Sequence, residues 1–140
     1  MENIFFWILK KMMTIIQLYL TMYEALDTLW QENKNDDLSC YLSESSPYTF
    51  TGEKTGKRCI SADAAAYRDF KKFMLGRFSD EIIPKDKSYE SIKEYLSTTF
   101  DSFWPGVSKS FCSISYEEWD RLYELALENF KDESEDDWEI

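Results

Sequence analysis

Histidine is missing from all 140 residues. Its absence excludes histidine-based catalytic triads, histidine metal sites and imidazole proton transfer near neutral pH. Cysteine occurs only at Cys40, Cys59 and Cys112, with no C-x-x-C pair, so zinc ribbons and thioredoxin-like motifs find no support. An odd count without a secretory signal predicts reduced thiols in a cytoplasmic protein, buried as small hydrophobes. Proline (3) and glycine (4) are scarce and mark the predicted breaks: Pro47, Gly52, Gly56, Gly76, Pro84, Pro105 and Gly106. Positive charge is also in deficit, with 16 Lys and Arg against 27 Asp and Glu, a net charge of -11. Nucleic acid and anionic membranes are poor partners for such a chain, because binding them rests on basic patches. A basic protein partner is favoured on electrostatic grounds.

The charge is unevenly placed. From Glu117 onward there are 11 acids and only two bases, Arg121 and Lys131; the preceding 116 residues hold 16 acids and 14 bases. Aromatics at 17% and hydrophobics at 44% are too abundant for a disordered chain, and the length suits one domain with its own core. The reading is a mainly α single domain over residues 1–130 followed by an acidic tail, 131–140.

The longest apolar run, Ile4 to Trp30, predicts the organising helix. Phe5, Ile8, Met12, Ile15, Tyr19, Met22, Leu26 and Leu29 keep one helical face apolar, and Leu9, Ile16, Tyr23 and Trp30 widen it. Lys10, Thr14, Gln17, Thr21, Glu24, Thr28 and Gln31 occupy the other side. A stripe this wide fits a helix buried among several others. Lys10 and Lys11 interrupt the run, which argues against a membrane span, and the order of basic and apolar residues does not fit a signal peptide. Met12 and Met13 offer later starts, so residues 1–12 are read as a possible start-site extension.

Four further helices are predicted. Asn35 caps the second, with Asp36 and Asp37 opposing the helix dipole and Leu38, Tyr41 and Leu42 facing inward. Ser61 or Asp63 caps the third, which buries Ala66, Tyr67, Phe70, Phe73, Met74 and Phe78. A fourth starts near Ser88, buries Tyr89, Ile92, Leu96, Phe100 and Phe103, and stops at Trp104-Pro105-Gly106. The fifth carries a capping box, Ser115 with Glu118, and a hydrophobic staple, Ile114 with Trp119. Its buried row is Trp119, Leu122, Tyr123, Ala126 and Phe130. Between the second and third helices, residues 48–51 and 57–60 can pair as a short β-hairpin or form an irregular loop. The GEKTGK stretch there lacks phosphate-loop spacing: Gly52 and Gly56 are one residue too close, and Arg58 stands where Ser or Thr is required.

Two stretches carry a family resemblance. Asp36-Asp37-Leu38-Ser39-Cys40-Tyr41-Leu42-Ser43 is followed by Ser61-Ala62-Asp63-Ala64-Ala65-Ala66-Tyr67-Arg68-Asp69-Phe70. The order resembles small acidic bacterial proteins of the kind encoded beside secreted polymorphic toxins as immunity proteins. Asn35 replaces the family's leading serine, and Ala64 stands in place of its proline. The resemblance implies a protein-binding, antitoxin-like role that neutralises a cognate toxin.

The expected partner surface comprises Asp36, Asp37, Glu117, Glu118, Glu135, Asp136, Asp137 and Trp138. No catalytic residues, metal ligands or cofactors are expected. The alternatives are a helical interaction or regulatory module docking through residues 4–12, and a carboxylate enzyme using Asp36-Asp37 or Glu117-Glu118, where helix capping already explains both pairs. Trp138 lies among acids in a segment expected to be solvated, and either docks on the body or anchors a partner. Neutralising Glu135, Asp136 and Asp137 is expected to leave stability almost unchanged.

Overall fold

The computed structural model describes residues 12–140. Among them the chain runs β1 (Met12–Thr14), α1 (Ile15–Glu32), α2 (Asp36–Ser45), β2 (Arg58–Cys59), α3 (Ala64–Leu75), β3 (Ile82–Pro84), α4 (Lys85–Phe100), α5 (Pro105–Cys112), α6 (Tyr116–Asn129), a 3-10 turn (Glu135–Asp137) and β4 (Trp138–Glu139). It is the mainly α bundle expected, with α1 at its centre. Packed against α1 are α2, α3, α5 and α6, while α4 lies against α5 and α6. Ten residues of α1 between Ile15 and Leu26 are buried, and Leu18, Met22 and Leu26 are fully enclosed.

The long helix does not run continuously from Ile4. Thr14 is its N-cap: Thr14 Oγ1 accepts from the Gln17 amide, and Gln17 Oε1 accepts from the Thr14 amide at 3.0 Å. This capping box outweighs the apolar periodicity that carries on upstream. Met12–Thr14 is instead extended and pairs antiparallel with Ile82–Pro84, setting buried Met13 opposite buried Ile83. Residues 4–11 of the predicted helix, and most of the suggested start-site extension, lie outside the described residues.

The second break is at Pro105. Read as a stop, it is a start: α4 ends at Phe100, and Pro105 opens α5 at its first position, where the missing N–H costs nothing. Phe103 falls in the connection between the two helices and is 55% exposed rather than buried. Ser88 does not begin α4, which starts three residues earlier after Pro84. At α3, Asp63 is the cap, accepting from the Ala65 amide at 2.9 Å, while Ser61 Oγ reaches the Tyr67 amide.

The 48–60 segment makes a minimal antiparallel contact. Thr51 and Arg58 form a bridge, the Cys59 amide donates to the Phe50 carbonyl at 2.8 Å, and Gly56 takes a φ of 72° that suits glycine. Beyond it, β2 pairs in parallel with β4, joining Arg58 to Trp138 and Cys59 to Glu139. All three cysteines are free thiols, and Cys40 and Cys112 are exposed rather than buried. Among the described residues, no helix is long and apolar enough to cross a membrane.

Candidate functional site

The acids singled out in the sequence fall into two groups at opposite ends of α1. Seventeen residue steps from Ile15 to Glu32, at about 1.5 Å each, put the ends about 25 Å apart. The first group surrounds the C-terminal end of α1. Here Asn35 Oδ1 accepts from the Leu38 amide at 2.8 Å, while Asn35 Nδ2 donates to Ser110 Oγ at 3.1 Å, tying α2 to α5. Asp37 is committed to structure as well: its Oδ2 accepts from the Gly106 amide at 2.7 Å, so a carboxylate of α2 caps the start of α5. A Cβ at position 106 would lie 2.8 Å from that oxygen, so the close approach requires glycine.

Asp36, by contrast, is exposed in the first turn of α2. At the start of α6, Glu118 closes its capping box with Ser115, whereas Glu117 stands exposed beside it. Glu118 and Glu32 line one recess together with Ile114 and Arg121. Glu32 is therefore part of this acidic end. Spacing alone does not disclose this, because its neighbour across the bundle, Glu118, is 86 positions away.

The second group is the C-terminal segment, and it is docked against the body. Trp138 is 6% exposed, stacks beneath the Arg58 guanidinium at 4.9 Å, and donates from Nε1 to Glu133 Oε2 at 2.9 Å. The Ile60 amide donates to the Glu139 carbonyl at 3.0 Å, and Thr55 Oγ1 donates to the Glu139 carboxylate at 2.8 Å. Glu135 accepts from the Tyr67 hydroxyl at 2.7 Å and pairs with the Lys71 ammonium at 2.8 Å. Of Glu135, Asp136, Asp137 and Trp138, the two aspartates remain exposed, and Asp137 accepts from the Ser134 amide. The expectation that neutralising all three acids spares stability is thus corrected at Glu135.

Burial pushes the Glu135 carboxyl upward, but the Lys71 and Tyr67 hydrogen bonds outweigh it and hold it below the usual carboxylate range. The same contact helps to push the Tyr67 hydroxyl up, after burial itself. A carboxyl whose folded pKa is depressed adds stability above its unfolded pKa and loses it as pH falls through the folded value. The urea midpoint of the native protein should therefore exceed that of Glu135→Gln at neutral pH, and the gap should close in acid. A gap independent of pH would show that Glu135 acts by packing alone.

Between α1 and α6 lies an open groove. The helices run antiparallel: Gln17 Nε2 donates to the Phe130 carbonyl at one end, while Glu32 faces Glu118 at the other. Two adjoining recesses of about 260 and 350 Å³ share Ala25, Thr28, Leu122 and Leu125. Leu125 is 61% exposed at their junction. Glu24 and Glu32 stand on the α1 side.

A third recess, by Thr14–Ile16, is lined by Asp80, Glu81 and Glu133–Asp136 with Lys71. Among the described residues, no group of three or more carboxylates or thiols is arranged to hold a metal ion. Comparison with protein-family models, with curated proteins and with solved structures found no match.

Proposed function

We propose that this protein is an immunity- or antitoxin-like binding protein that neutralises a cognate toxin through the acidic end of the bundle, and that the toxin's contacting surface is basic. The supporting observation is that Asp36 and Glu117, both exposed in helix first turns, stand at the end where Glu32 and Glu118 flank an apolar recess. An apolar centre with a charged, solvated rim is the usual anatomy of a specific protein interface. Exposed carboxylates steer a basic partner in and fix its orientation, acting mainly on the association rate. The resemblance of the 36–43 and 61–70 stretches to immunity proteins points the same way. The role requires neither catalytic residues nor a cofactor.

The product of the gene beside this one is the first partner to test. Co-expression of this protein should relieve the growth arrest caused by that product. Asp36→Lys with Glu117→Lys should slow association about tenfold at low salt, with the difference shrinking as salt is raised. Asp37 is left intact because it caps α5, and urea unfolding of the double variant checks that the fold is retained. Absence of relief, or an association rate indifferent to both the charge reversal and salt, would overturn the reading.

A further inference from the structure

We infer that the groove between α1 and α6 receives an amphipathic helix of the partner, about three turns long, with basic residues flanking its apolar stripe. The inference rests on the proposed binding role and extends that contact from the acidic-end recess along the neighbouring recess between the two helices. Thr21 and Glu32 mark the two ends of the groove on α1, a span of about 17 Å at helical rise. Its floor combines buried Ala25 with half-buried Leu29 and Leu122, and Leu125 projects from its wall. Ala25 and Thr28 are small, which leaves room for an incoming side chain between the two helices.

Both walls are helices whose main chains are already hydrogen-bonded within themselves. An extended strand laid along them would find no backbone partners, so the occupant must satisfy its own backbone, as a helix does. The charge of the lining selects the flanks of that helix. Among the described residues that line it, Glu24, Glu32 and Glu118 stand against one cation, Arg121, and the acidic end continues the same field. A second copy of this chain, itself at net -11, is repelled by such a lining.

The probe is a labelled 15-residue helical peptide with Leu at i, i+4, i+7 and i+11 and Lys on its other faces. Two controls accompany it, one with Glu for every Lys and one with Ser for every Leu. The full-length protein should bind the Leu/Lys peptide and bind both controls at least about tenfold more weakly. Leu125→Asp and Thr28→Arg, both at exposed positions, should each weaken the Leu/Lys peptide by about tenfold.

Failure of the Leu/Lys peptide to bind, or equal binding by both variants, would overturn the inference. So would a dimer in sedimentation that Leu125→Asp dissolves, which would give the groove to a second copy. Peptide binding seen only after Trp7→Glu would give it to residues 4–9 of the chain itself. The two readings fail separately. A Leu125→Asp protein that still protects against the toxin, alongside an Asp36→Lys/Glu117→Lys protein that does not, removes the groove and keeps the acidic end.

Discussion

Trp119→Ala should lower the stability of the protein by about 3–5 kcal/mol, a large part of the total for a domain of this size. Trp119 is fully buried where α4, α5 and α6 meet. Its ring lies 5.5 Å from that of Phe111 and 6.3 and 6.4 Å from those of Tyr123 and Tyr89. Three large neighbours held by separate helices cannot close together over the space it leaves, so most of the cost is the cavity. Its Nε1 donates to Ser88 Oγ at 2.9 Å, but that hydroxyl also donates to the Lys85 carbonyl and keeps a partner when the indole is removed. Trp119→Phe should accordingly cost much less than the alanine change. Urea unfolding with an unchanged denaturant slope checks both. A loss below about 1 kcal/mol for Trp119→Ala would mean that the helices can collapse onto the site.

The second large effect is expected at the other end of the chain. Trp138→Ala should cost about 3 kcal/mol, because it removes a buried indole, its stacking with Arg58 and its bond to Glu133 together. The loss is bounded by the free energy that holds the segment down, since undocking β4 relieves any further strain. Amide exchange at Ile60, whose N–H is bonded to the Glu139 carbonyl, should accelerate in this variant ahead of exchange in α1. Equal acceleration in both would make the segment part of the global unfolding unit. Asp136→Asn, at an exposed position, should leave both observables nearly unchanged.

These two tryptophans mark the range of what the sequence disclosed. Trp119 belongs to a periodic row behind a capping box, and both its helix and its burial follow from spacing. Trp138 sits in a two-residue strand, too short for any period, and its partner Arg58 is 80 positions away. The α1 start fell between these cases. Thr14-x-x-Gln17 is a capping signature, but the apolar residues upstream keep the helical period and hid it. Pro105 misleads for the opposite reason: the residue that ends one helix is equally at home opening the next. Of the candidate surface, helix polarity exposed Asp36 and Glu117, whereas the groove required knowing that α6 lies antiparallel along α1. Leu125 stands outside the buried row of α6, so its spacing alone gives no sign of the neighbour beside it.

The contact between Asp37 and Gly106 also bears on how this sequence can drift. Each residue is tolerated because of the other: the carboxylate satisfies an amide at the start of α5, and the bare Cα leaves it room to approach. Positions 37 and 106 should therefore vary as a pair among descendants of this chain. A side chain at 106 should be found only where 37 has been shortened or has turned away, and where another acceptor has taken over the freed amide.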